Sequence, residues 1–112
     1  MKTTFVLNSE QFGGNEDKKL GNQLMGSFLR KLWMLEKKPD VMIFYNSAVH
    51  LLAEGSPVLG ALDALLKAGV DLIACGTCVD YYHITDKIRV GRVSSMEEIA
   101  SILMTSTKVV TP

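Results

Sequence analysis

Asp40-Val41-Met42-Ile43-Phe44-Tyr45-Asn46-Ser47 is the stretch that decides the fold. Five consecutive apolar or aromatic residues follow one polar residue and stop at Asn46-Ser47. A strand with one wet face would alternate polar and apolar side chains. A continuous run of this length is instead the pattern of a central parallel strand covered on both faces. The segments on either side supply the covers. Upstream, Pro39 closes a helical pattern in which Leu20, Leu24, Phe28, Leu32 and Leu35 form the buried stripe. Met25, Leu29 and Trp33 make a second row beside it. Glu16 and Asp17 place negative charge at the start of that helix, where its dipole favours it. Asn8 to Asn15, with Gly13-Gly14, reads as a loop, and Thr3 to Leu7 as the first strand.

Downstream, Ala48 to Ala53 makes a short helical turn. Ser56-Pro57 is a cap and first helical position, Leu59, Leu62, Leu65 and Leu66 give a buried face, and Gly69 stops the helix. Val70 to Ala74 is a third strand and Cys75-Gly76-Thr77-Cys78 the turn after it. Val79 to His83 gives one or two turns of helix, and Ile88-Arg89-Val90 a short strand followed by Gly91. Ser95-Met96-Glu97-Glu98 fits a capping box, Ile99, Ile102 and Leu103 carry that helix inward, and Lys108 to Val110 is a last strand. Strands alternate with helices throughout. The expectation is an α/β chain: one three-layer α/β/α domain over residues 1–112 with a mainly parallel five-stranded sheet.

Charge narrows the function. Twelve Lys and Arg balance twelve Asp and Glu, so a chain that grips nucleic-acid phosphates is excluded. The balance also removes the self-repulsion that keeps small proteins apart. With Trp33 and Met34 lying outside the helical stripe, it points to a homo-oligomer. No apolar run is long enough to span a bilayer, and the stretch after Met1-Lys2 is too short for a signal peptide. A soluble cytoplasmic protein is expected.

The only cysteines are Cys75 and Cys78, spaced C-x-x-C. In a cytosolic chain that spacing reads as redox, sulfur-handling or metal chemistry. Ligands in open α/β sheets bind beyond the carboxyl ends of strands, where Cys75 lies. Cys78, near the next helix start, is in surroundings that favour thiolate. Gly76 and Thr77 leave room for a substrate sulfur, and Thr77 offers it a hydrogen bond. Asn46 and Ser47 end the neighbouring strand and offer donors to an anion or a persulfide, or else only cap the next turn. His50 offers a base for a thiol, or a packing role. Two buried packing cysteines, and a zinc site completed by His50 and His83, are the other readings. Neither histidine falls in a zinc spacing, so no metal and no other cofactor is expected. Gly13-Gly14 lies among Glu10, Glu16 and Asp17 with no lysine leading into the helix, which excludes a nucleotide loop.

Asn46-Ser47-Ala48-Val49-His50-Leu51, Glu54-Gly55-Ser56-Pro57-Val58-Leu59, Cys75-Gly76-Thr77-Cys78-Val79-Asp80-Tyr81-Tyr82 and Val90-Gly91-Arg92-Val93 together resemble the C-terminal domain of YedF-type proteins, in the DsrE-like superfamily. The resemblance runs from the first strand to Val110. It implies a parallel α/β/α domain that associates into trimers or hexamers. It implies persulfide sulfur carried on the cysteine after the third strand, here Cys75, with Cys78 as a resolving or second thiol. It further implies a link to selenium metabolism. YedF-type proteins usually bear an N-terminal TusA-like domain. This chain shows none, so a separate TusA-like sulfur carrier is the expected partner. His83 stands where relatives usually have a helix-ending glycine, which implies a left-handed residue there or a different turn. The readings from other classes are a non-catalytic interaction subunit and a dithiol oxidoreductase.

Overall fold

The computed structural model describes residues 2–13 and 17–112. The expected loop end and helix start at Gly14, Asn15 and Glu16 lie outside the described residues. In chain order the elements are β1 (Thr3–Leu7), α1 (Lys18–Met34), β2 (Val41–Phe44), a 3₁₀ helix (Asn46–Leu52) and α2 (Leu59–Lys67). Then come β3 (Asp71–Cys75), α3 (Gly76–Tyr81), a 3₁₀ turn (Thr85–Lys87), β4 (Arg92–Ser94), α4 (Met96–Thr105) and β5 (Lys108–Val110). The sheet order is β4-β3-β2-β1-β5, and every pairing is parallel. Each of the first three crossovers steps to a neighbouring strand. The last, through α4, returns past three strands and sets β5 on the far edge.

All four residues of β2 are buried, as its unbroken apolar run requires. Met42 and Phe44, with Leu72 and Ala74 of β3, face Met25, Leu29 and Leu32 of α1 and Leu62 and Leu65 of α2. Val41 and Ile43, with Ile73 and Cys75, face Ile99 and Ile102 of α4. Period-two alternation along two central strands thus feeds two apolar layers, one on each face. Among the described residues, no helix is long and apolar enough to cross a membrane.

Four local expectations are corrected. In α1 the buried row is Gly21, Met25, Leu29 and Leu32, while Leu20, Leu24 and Leu35 are 52, 43 and 55 % exposed. Gly21 decides which row turns inward. A Cβ there would lie 2.6 Å from Gln11 Cβ, and Phe12 N–H donates to Gly21 O at 3.1 Å, so the β1–α1 loop lies directly on the helix. The residue that a hydrophobic pattern skips therefore marks the buried face.

Ser56-Pro57 does not open α2, which begins at Leu59. Ser56 Oγ accepts instead from Val58 N–H at 3.3 Å, closing a local turn. Ile88-Arg89-Val90 is not a sheet strand. Arg89 and Val90 N–H both donate to Leu52 O, which draws the buried Val90 onto the core, and the ladder to β3 begins only after Gly91. Half of the capping box forms. Ser95 Oγ accepts from Glu98 N–H at 3.2 Å, but the Glu98 carboxylate turns to Arg92.

Arg92 bridges two acids on two elements. It donates to both Asp71 oxygens at 3.0 and 2.9 Å and to both Glu98 oxygens at 2.8 and 2.9 Å. Ser94 Oγ also donates to Glu98. These bonds hold the Glu98 carboxyl down to about 2, the Arg92 guanidinium contributing most. A carboxylate lowered in the folded state adds stability above its unfolded pKa of ~4.3, and loses it as pH falls toward the folded value. The stability advantage of the native chain over Glu98→Gln is therefore expected to be full above about pH 5 and to shrink toward zero near about pH 2. Urea unfolding of both proteins across that range checks it.

Candidate thiol site

β2 and β3 are parallel neighbours, so the segments that follow them leave the same end of the sheet side by side. These are the Asn46–Leu52 3₁₀ helix and α3, and they meet twice. At their starts Asn46 N–H donates to Cys78 Sγ at 3.2 Å. Four residues further along each, the His50 ring lies against the Tyr82 ring, centroids 4.4 Å apart at 60°. Tyr81, 76 % exposed, meets the Tyr82 ring edge-on at 5.2 Å. The outcome is a packed seam with a thiol at one end and an aromatic pair at the other.

The cysteines do not form a turn. β3 runs through Cys75, and α3 starts at once with Gly76. Cys75 is 0 % exposed, packed against the α4 side with Ile43, Ile73 and Ile99. Cys78 is half-buried and touches both apolar layers. Three residues apart across a helix start, the two side chains are neighbours: Cys78 packs against the buried cluster to which Cys75 belongs. Both thiols are free. The pair is a reduced dithiol with an inner and an outer member.

The expectation of a thiolate-favouring helix start is not met. Burial pushes the Cys78 thiol up, the Asn46 N–H opposes this, and the neighbouring Cys75 adds to the rise. A helix of six residues supplies little dipole to offset that.

The supporting residues divide. Asn46 reaches the thiol through its backbone, not its side chain, and does so from a left-handed conformation, φ 54°. Asparagine visits that region more readily than most residues. Ser47 Oγ accepts from Glu10 N–H at 3.0 Å, so it ties the β1–α1 loop to the 3₁₀ helix and does not serve the cysteines. A Cβ on Gly76 would meet Ser94 O at 3.1 Å, so its missing side chain makes room for β4, not for a substrate. Thr77 is exposed on α3. His50 packs on Tyr82, a residue the sequence reading did not single out. The available signal was spacing: Tyr82 follows Cys78 by four residues, as His50 follows Asn46. Among the described residues, no group of three His, Cys, Asp or Glu side chains is placed to hold a metal ion.

His83 ends α3 in the left-handed region at φ 58°, where a side chain costs about 1 kcal/mol or more. His83→Gly is expected to raise stability by about 1 kcal/mol, read as a melting temperature higher by about 4 °C.

The family model described as DsrE/DsrF-like matches residues 1–112. No functionally curated protein matches the chain. Solved structures share the fold. A protein of unknown function from Methanobacterium thermoautotrophicum superposes with a TM-score of 0.72 at 22% identity, covering 99% of this chain and 98% of its own. The ychN protein from E. coli gives 0.75 at 20% identity, with coverage of 99% and 98%. A conserved protein of unknown function from Bacteroides thetaiotaomicron gives 0.64 at 14% identity, with coverage of 99% and 95%.

Proposed function

The chain belongs to the DsrE/DsrF-like family, a family associated with sulfur relay, and on that premise we propose that it accepts persulfide sulfur on its C-x-x-C pair and passes it to a partner thiol. The observation that supports the reading most directly is the pair of neighbouring free thiols where β3 ends, with the Asn46 amide N–H donating to the outer sulfur. In the accepting step a cysteine thiolate attacks the outer sulfur of a donor persulfide. A new S–S bond forms, the donor's S–S bond breaks, and the donor leaves as a thiolate. Selenium in the same formal state would react in the same way.

Two further parts of the proposal concern partners. A TusA-like carrier is the proposed sulfur donor, its cysteine entering where Cys78 meets the surface. The chain is proposed to work as a homo-oligomer, a trimer or hexamer. Trp33 and Met34 on α1, 49 and 66 % exposed, suit burial between copies. The complete burial of Cys75 supports one rival, a non-catalytic interaction subunit in which the cysteines only pack.

The test is to mix the reduced protein with inorganic polysulfide, trap with an alkylating agent within seconds, and weigh the intact chain. The expected product is heavier by one sulfur atom, and a chain with both cysteines changed to alanine gains none. A native chain that gains no sulfur returns the site to the packing role.

A further inference from the structure

We propose that the pair also discharges the sulfur it accepts: Cys78 takes the sulfane sulfur, and Cys75 then displaces it as hydrosulfide by closing a Cys75–Cys78 disulfide. This rests on the sulfur-accepting reading above and gives the two thiols different, ordered tasks.

The order follows from exposure. Cys75 is 0 % exposed, behind Ile43, Ile73 and Ile99, so a donor sulfur cannot reach it in the folded chain. Cys78 is half-buried beside the exposed Asn46, so the surface thiol meets the donor first. The resemblance to sulfur-carrying relatives had pointed to Cys75 as the leading thiol, and burial reverses that order.

The second step follows from proximity. Cys78 packs against the buried cluster that holds Cys75, and the C-x-x-C spacing across a helix start is one that a disulfide can close. Once Cys78 holds a persulfide, Cys75 has two sulfurs it could attack. Attack on the outer one would carry the persulfide into an apolar site, where a second sulfur has no space and its charge has no partner. Attack on Cys78 Sγ needs no such move. The Cys75–Cys78 bond forms, the bond between Cys78 Sγ and the outer sulfur breaks, and that sulfur leaves. The Cys75 proton goes with it, so an ionised persulfide and one thiol become a disulfide and hydrosulfide. The sulfane sulfur gains two electrons, and the two cysteines lose them. A small-molecule or protein dithiol must then reduce the disulfide for another cycle.

The experiment treats the native chain, Cys75→Ala and Cys78→Ala with inorganic polysulfide, desalts them rapidly, and follows released sulfide and intact mass. The native chain is expected to gain one sulfur, then to release one hydrosulfide per chain and end two hydrogens lighter than the reduced form. Dithiothreitol then restores the starting mass. Cys75→Ala is expected to keep its added sulfur and release none, and Cys78→Ala to gain none. Alkyl trapping of the native chain at early times, followed by peptide mapping, locates the sulfur with no substitution in the core. A trapped persulfide on Cys75 overturns the order. A native chain that loads sulfur but never sheds it as hydrosulfide overturns the discharge step and leaves the relay reading intact. No loading by the native chain overturns the relay reading itself.

Discussion

Replacing Gly91 with alanine is expected to lower the unfolding free energy by about 3 kcal/mol, through two penalties that fall on one residue. Gly91 has φ +80°, where a side chain costs about 1–2 kcal/mol. Its Cβ would also stand 2.6 Å from Leu72 O and 2.9 Å from Leu72 Cβ. Leu72 belongs to β3 and is 0 % exposed, so neither atom has room to retreat. Overpacking a closed core adds about 1–3 kcal/mol. Gly69 separates the two penalties. It has φ +102°, but nothing lies within 4 Å of its missing Cβ, so Gly69→Ala should show the torsional cost alone. Urea denaturation of both variants gives the comparison. Equal losses would mean that β3 absorbs the clash. The consequence reaches the site, because Gly91 delivers the chain into β4. There Ser94 sits in register with Cys75, and Ser94 O walls Gly76.

The large features were legible because they depend on the local order of apolar and polar residues alone. An unbroken apolar run has one economical home, the middle of a covered parallel sheet, and β2 is there with neighbours on both sides. The cysteines were placed at a strand end by the apolar run before them and the polar residues after. Even the positive φ at His83 was an expectation, drawn from a glycine position in relatives. What escaped was set by contacts between distant segments. Whether Leu20 or Gly21 faces inward depends on Gln11 lying on the helix, and no periodicity records that. Ile88 and Val90 have strand-like side chains, yet the backbone N–H groups of Arg89 and Val90 go to Leu52 O. Ser47 looked like an anion donor until its hydroxyl proved to be held by Glu10 N–H. The inner and outer ranks of Cys75 and Cys78 were hidden for the same reason. Burial of a strand's last residue depends on which face carries α4, and strand order was not in the sequence pattern.

In the native protein a soluble alkylating agent is expected to label Cys78 and to leave Cys75 slower by at least about a thousandfold. The factor comes from what must open. Cys75 is 0 % exposed in the layer between β2, β3 and α4, so a reagent reaches it only when that layer comes apart. Opening a domain core costs about 5–15 kcal/mol, and each ~1.4 kcal/mol is a factor of ten in the open population. Cys78 needs no such opening, and its own rate reports its ionisation. Burial raises its thiol above the ordinary range, so at neutral pH it should react more slowly than a free cysteine peptide. With rising pH its rate should keep climbing after the peptide has levelled off near ~8.5. The same shift fixes a sign for stability. A thiol whose folded pKa is raised favours the folded state while it is protonated, so that contribution is present below ~8.5 and is lost as pH rises through the folded value. Cys78→Ala should remove this alkaline loss. The labelling is read by peptide mapping after timed quenches, with unfolded protein as the reference for full reactivity. Equal rates at the two cysteines, or faster labelling at Cys75, would abolish the inner and outer distinction on which the discharge order stands.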